Sequence, residues 1–301
     1  MKNIGLALIA LSLLHACSKL PLLDNDCRSP VPGSFTVDAS GKKVIFASGN
    51  LQAHIIGSGD ELSVNWGFAS WQGEFLGSTS CNVKPAAGGT ADLFGWAAAG
   101  SPSAEKFGIG YNSDPSHYGS SVSDVLQDWG PLIGSGWRTL SDNEWKFLLN
   151  KRAGPRIGGV ENARHSRATV DGVRGLILFP DVIGWPSDIP LPRGINQCGS
   201  YNYADTSYGA GQWQILENLG CVFLPAAGHN PAKGNPEYGK TGAYISSSSK
   251  DNWRYCRRMI FKEDGVYTSV VSLRSALCAV RLVLRVFHFL VPKSYKYLKN
   301  K

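Results

Sequence analysis

The stretch Gly136-Trp137-Arg138-Thr139-Leu140-Ser141-Asp142-Asn143-Glu144-Trp145 constrains the fold of this chain more than any other. It predicts a tight turn, a short extended segment and then a helix opened by a capping box. Ser141 caps the first turn, and Glu144, three residues on, reaches back to the cap amide. Trp145, Leu148 and Leu149 follow at i, i+3 and i+4, so they form the face that meets the core. Glu144 is a general-acid candidate only if this capping role is set aside, and we read it as the cap.

The N-terminus reads as a processing segment. Lys2 gives a positive start, and Ile4 to Leu14 gives an apolar run too short to cross a bilayer. Leu14-His15-Ala16-Cys17 is similar to a bacterial lipobox, with His15 an unusual occupant of its place. Residues 1–17 are therefore expected to be a lipoprotein signal peptide, with Cys17 as the lipidation site. The alternative is an ordinary secretory signal with an unmodified cysteine. Acyl chains on Cys17 would anchor the protein at roughly 0.8 kcal/mol per buried CH₂. Residues 18–33 then form a tether, and the membrane so reached is expected to be the outer membrane, on its periplasmic or surface face.

The net charge of +7 says little about partners. Lys2 leaves with the signal, and Arg285, Lys293, Lys296, Lys299 and Lys301 lie in residues 284–301, which contain no acidic residue. The body is near neutral, which argues against nucleic acid as a partner. The 35 glycines and 9 tryptophans point to a loop-rich fold with aromatic anchors. Of seven cysteines, six lie beyond the lipobox: Cys27, Cys81, Cys198, Cys221, Cys256 and Cys278. An even number in an oxidising compartment permits disulfides, and Cys256 with Cys278 is the expected pair. Buried free thiols are the alternative. No CxxC occurs, so a structural zinc site is not expected, nor is any other metal or cofactor.

From Ser34 onward short strands and long loops dominate. Phe35-Thr36-Val37 and Lys43-Val44-Ile45-Phe46 predict a hairpin through Ser40-Gly41. Residues 57–135 carry no sustained helical period and read as packed loops pinned by Trp66, Trp71, Phe94, Trp96 and Trp129. Arg167–Val170 and Gly175–Pro180 flank Asp171-Gly172, a strong hairpin signal. A second helix is expected over Gln212–Leu219, with Gly220 at its end. Strands are expected at Cys221–Pro225, Ala243–Ser246, Tyr255–Phe261 and Ala276–Val283. The pattern is α+β: two main helices beside short antiparallel strands with long packed loops, as one domain over 34–283. Residues 284–301 form a basic C-terminal extension, read as a continued strand, a membrane-surface segment or a disordered tail.

Eight segments in order carry a resemblance. They are Phe35 to Gln52, Asp92-Leu93-Phe94-Gly95-Trp96, Asp128-Trp129-Gly130, and Gly136 to Trp145. Ala168 to Val173, Phe223-Leu224-Pro225-Ala226-Ala227-Gly228, Tyr244 to Ser248 and Val280-Arg281-Leu282-Val283 complete the set. The chain resembles exported Bacteroidetes lipoproteins related to the Fibrobacter succinogenes major paralogous domain. That resemblance implies a C-type lectin-like fold, distantly similar to the formylglycine-generating sulfatase-modifying enzymes. Ile245 stands where the family usually has Trp, and the chain runs on past the usual final strand.

The chemistry such folds carry is not spelled out here. Asn235-Pro236-Glu237 and Asp251-Asn252-Trp253 offer calcium-type ligands, but in the wrong order for the lectin loop. Cys256 lacks the close cysteine partner that the sulfatase-modifying reaction needs, although nearby arginines would lower its pKa. His117, His165 and His229 have no triad context and read as surface or loop residues. Trp66, Trp71, Tyr111, Tyr118, Trp185, Tyr201, Tyr203 and Tyr208 lie among Gly, Ser and Asn, a composition suited to gripping a glycan or a protein. Their alternative role is to pin loops to the core. The expected function is a non-catalytic, lipid-anchored envelope module that binds a glycan or an envelope protein. A structural or assembly component (an adhesin- or fimbria-like accessory) and a degenerate sulfatase-modifying-type enzyme are the alternatives. Function is to be sought in the loops before Gly136 and after Gly228.

Overall fold

The computed structural model describes residues 30–286, apart from 58–62, 78–79, 105, 198, 200 and 231–235. The first part of the chain forms β1 (Pro30–Thr36), β2 (Lys43–Ala47), β3 (Leu51–Ile55), β4 (Val64–Phe68) and β5 (Thr90–Ala91). A short α1 (Gly130–Ile133), β6 (Trp137–Arg138) and α2 (Asp142–Asn150) follow. Then come β7 (His165–Val170), β8 (Val173–Leu178), β9 (Ser207–Tyr208), α3 (Ala210–Asn218) and β10 (Val222–Pro225). The C-terminal part is β11 (His229–Asn230), β12 (Gly242–Ser249), β13 (Tyr255–Lys262), β14 (Gly265–Leu273), β15 (Leu277–Cys278) and β16 (Val283–Arg285). The architecture is α+β: small, mostly antiparallel sheets with few helices. No described helix is long and apolar enough to cross a membrane.

The capping box forms as expected. The Glu144 amide donates to Ser141 Oγ at 3.3 Å, and the Ser141 amide donates to Glu144 Oε2 at 2.9 Å. The helix so started buries Trp145, Leu148 and Leu149. Trp145 packs 6.2 Å from Phe46 on β2 and 6.5 Å from Tyr244 on β12, joining two sheets. Removing such a side chain costs about 3–5 kcal/mol.

Both hairpin expectations hold. β1 and β2 pair antiparallel, although β1 begins at Pro30, inside the segment expected to be tether. Asp171 and Gly172 between β7 and β8 both take positive φ, +47° and +80°, as a two-residue type I′ turn requires. Two regions differ from expectation. β4 and β5 occupy part of the stretch read as loops, and neither β3 nor β14 was anticipated. The strand expected over Ala276–Val283 divides into β15 and β16 because Arg281 turns inward between them. Its guanidinium donates to Asn50 Oδ1 and to the carbonyls of Ala47, Gln72 and Phe223 at 2.9–3.0 Å. One buried cation thereby ties β2, β10 and the loop at Gln72 to the last strand. Burial brings its pKa down to about 10.

β16 lies between β2 and β6 in the order β1-β2-β16-β6. β10-β8-β7-β9 form a second sheet, and β12-β13-β14 a third. The core under α2 holds Phe35, Phe46, Leu224, Tyr244, Met259 and Phe261. A second cluster gathers Phe94, Trp96, Trp129 and Ile245, and a third sets Trp213 and Leu216 of α3 against Phe223 and Ile177.

The expected Cys256–Cys278 disulfide is not formed; both are buried free thiols. β13, with Cys256, pairs along one edge of β12, while Ala279 bridges Tyr244 on the other. Two strand spacings, roughly 9.6 Å, exceed the ~7 Å Cα separation that a disulfide spans. Arg258 reaches Cys278 instead, Nη1 to Sγ at 2.9 Å. Cys17 and Cys27, the signal segment and residues 287–301 lie outside the described residues, as does Cys198.

A candidate binding cleft held by Arg167 and Tyr203

β7 reads His-Ser-Arg-Ala-Thr-Val, a buried strand with a charged residue facing inward. Arg167 is only 3% exposed, and it has carbonyl partners from two separate loops. Nη1 donates to Lys262 O at 3.2 Å and Glu263 O at 2.5 Å, both at the β13–β14 turn. Nη2 donates to Gln197 O at 3.2 Å. The Gly199 amide adds a second tie to the same turn, reaching Asp264 O at 3.0 Å. A third segment is fixed by Tyr203, whose hydroxyl donates to Lys240 O at 2.9 Å. Burial pushes the Tyr203 phenol up, so it remains a donor at ordinary pH. Its ring packs edge-on against Phe261, which stacks on Tyr244 at 6.0 Å.

Local chemistry shapes the other wall. Asn202 caps a 3₁₀ turn, Tyr203–Asp205, by accepting from the Ala204 amide at 2.7 Å. The turn at 236–241 is closed by the Lys240 and Thr241 amides, both donating to Glu237 O, and by Thr241 Oγ1 donating to Glu237 Oε2 at 2.7 Å.

Between these segments lies an open cleft of about 600 Å³, lined by Asn202, Glu237, Lys240, Lys262, Glu263 and Asp264 with Gly199 and Thr241. That volume falls within the ~300–1,000 Å³ range of small-ligand sites. Lys262 and Asp264 pair at 3.4 Å, with both side chains largely exposed, a contact of little energetic weight. The side chains of Lys240 and Glu263 enter no hydrogen bond or ion pair with the described residues, and Asn202 keeps its amide NH₂ free of one. The cleft therefore presents Lys240 and Glu263, of opposite sign, with no side-chain partner among the described residues.

The aromatic residues expected to bind do not gather into one surface. Tyr118, Tyr203 and Tyr208 are buried, their hydroxyls donating to Gly110 O, Lys240 O and Pro190 O. Trp66 is half-buried between Phe94 and Phe107 in one core cluster. Trp71 and Trp185 pack against another, Trp185 donating from Nε1 to Ile189 O. Tyr111 packs on the first cluster, and Tyr201 covers Gly194. These residues pin loops, because a large ring that buries its face loses less to water than one left exposed. Among them Tyr203 is tied to the cleft through its hydrogen bond to Lys240 O.

Other sequence candidates resolve one by one. Glu144 is a cap and an ion-pair partner: burial disfavours its charge, yet Arg138, the Ser141 amide and Lys42 hold its pKa down to about 2. His165, expected at the surface, is buried, and burial with Arg164, Arg152 and Arg167 brings it down to about 3. His229 is half-buried and brought down to about 4 by burial and Arg258. His117 sits at the end of a 3₁₀ turn. The arginines near Cys256 do not win: burial pushes its thiol up to about 12. Of the calcium-like residues, Glu237 belongs to the cleft, Asp251 pairs with Lys250, and Asn235 lies outside the described residues. Among the described residues, no group of three His, Cys, Asp or Glu is placed to hold a metal ion.

The sequence signal for this site was Arg167, a charge in the strand Arg167–Val170 that the Asp171-Gly172 turn marks out. Lys240 and Glu263 gave none, since exposed charged residues in turns are common. No protein-family model matches the chain, and no curated protein or solved structure is significantly similar to it.

Proposed function

We propose that this protein is a lipid-anchored binding module of the cell envelope that holds a polar ligand in the Arg167–Tyr203 cleft. The observation that carries the reading is the cleft's construction. Buried Arg167 and Tyr203 fix three separate segments, while the exposed Lys240 and Glu263 line the cleft with no side-chain partner among the described residues. A buried guanidinium is costly unless its donors are satisfied, and here that cost is spent on positioning surface loops. The anchor rests on the lipobox-like sequence at Cys17, and the C-type lectin-like fold on the eight ordered segments. The buried thiol of Cys256 lends no support to the enzyme alternative.

Two experiments test the proposal. Palmitate incorporation should vanish in Cys17→Ala, and a persistent label would remove the anchor. The full chain and its charge-reversed variant Lys240→Glu/Glu263→Lys should be compared on peptide and glycan arrays. Both positions are solvent-facing, so the fold should persist. A ligand retained equally by both proteins would place binding elsewhere.

A further inference from the structure

Resting on that cleft, we infer that its ligand is peptide-like and dipolar, presenting a carboxylate and an ammonium group together, and is not a neutral sugar. None of the cleft's lining residues is aromatic. A neutral pyranose binds well where an aromatic face covers its apolar C–H surface; Tyr203 is buried with its hydroxyl committed to Lys240 O, and the Tyr267 ring beside the β13–β14 turn is covered by Lys262 Nζ at 5.6 Å.

The charges argue the same way. Lys240 stands on the 236–241 turn, where the neighbouring Glu237 carboxylate is engaged by Thr241 Oγ1, and Glu263 stands across from it on the β13–β14 turn. Lys262 and Asp264, by contrast, come from one wall and pair with each other. A neutral ligand closing over Lys240 and Glu263 would strip water from both charges and return nothing to either. A ligand with a carboxylate for Lys240 and an ammonium for Glu263 satisfies both. Asn202 lines the same cleft, and with its Oδ1 taken by the Ala204 amide its NH₂ suits a peptide carbonyl.

The test uses the full chain, titrated calorimetrically with three probes: unblocked Lys-Gly-Glu, acetyl-Ala-Gly-Ala-amide and maltotriose. Lys-Gly-Glu should bind at least about tenfold more tightly than either neutral probe. Its affinity should fall several-fold between low and high salt, because the contacts are charge pairs near water. Lys240→Met and Glu263→Gln should each weaken it roughly fivefold or more, with unchanged thermal midpoints. Equal or tighter binding of either neutral probe overturns the dipolar class and leaves the cleft standing. So does salt-independent binding, or binding that survives both substitutions. If none of the three probes binds, the cleft reading falls as well.

Discussion

Arg138 and Glu144 meet guanidinium to carboxylate, Nη1 to Oε2 and Nη2 to Oε1, at 2.7 Å each. The same carboxylate accepts from the Ser141 amide and from Lys42 Nζ, so one side chain caps α2 and binds it to β6 and the β1–β2 hairpin. Its pKa drops from 4.5 to about 2 despite burial. A carboxylate depressed in the folded state contributes stability above its unfolded pKa and loses it as pH falls through the folded value. Glu144 should therefore contribute roughly 3 kcal/mol above pH ~5, fading between pH ~4.5 and ~2. Glu144→Gln should melt well below the wild type at pH 7, and the gap should close toward pH 2. A gap independent of pH would rule out the ionic account.

Arg167 should behave as a structural bolt of the cleft. Arg167→Met leaves the carbonyls of Gln197, Lys262 and Glu263 without their donor. Unpaired buried carbonyls cost about 1–3 kcal/mol each when water cannot reach them, and relaxation of these near-surface loops lowers the sum, so we expect a loss of about 2–4 kcal/mol in denaturant unfolding. Amide resonances of Gly199 and Lys240 should shift while those of α3 stay put. Unchanged stability would show that the two loops hold together without it.

His165 makes the fold acid-sensitive in a different window. It is neutral in the folded protein down to about pH 3, whereas its unfolded form takes a proton near 6.5. There is no penalty above 6.5, and one grows as pH falls from 6.5 toward 3, at up to about 1.4 kcal/mol per pH unit. Urea midpoints measured from pH 7 to 5 should fall more steeply for the wild type than for His165→Asn. Parallel curves would mean that His165 gains access to water before it titrates.

Thiol accessibility gives the simplest check on the core. Cys221, Cys256 and Cys278 are buried, and burial raises the pKa of the first two. Iodoacetamide at pH 8 should leave all three unmodified in the native protein and label them once it is unfolded. Rapid native labelling of Cys256 would revive a reactive-thiol role, and its absence from both samples would mean a disulfide.

What was legible in the sequence had a local cause. The capping box and the Asp171-Gly172 turn each fix backbone geometry within four residues, so the helix and hairpin they define appear where expected. β14 escaped notice because it is an edge strand of half-exposed Tyr, Thr, Val and Ser, whose register shift against β13 breaks the two-residue alternation. Ser269, at φ +60° in that irregular stretch, turns its hydroxyl to the Asp142 carboxylate at 2.6–2.7 Å, a contact between residues far apart in sequence. The aromatic loop residues misled for a related reason. A tyrosine among glycines reads the same whether its ring lies on the surface or inside, and only tertiary packing separates Tyr203 from an exposed neighbour. The cleft was the least legible feature, since Gln197, Tyr203, Lys240 and Glu263 meet through backbone carbonyls that carry no sequence signature.

The place of β16 between β2 and β6 bears on how the chain comes to be folded at all. The sheet opened by the N-terminal hairpin is closed by a strand from the far end of the described chain. During synthesis, the early strands must wait with an unfilled edge until that last segment is released. Long-range closure of this kind folds slowly. A chain cut short before Val283 would be left with an open, sticky seam for chaperones and proteases to find.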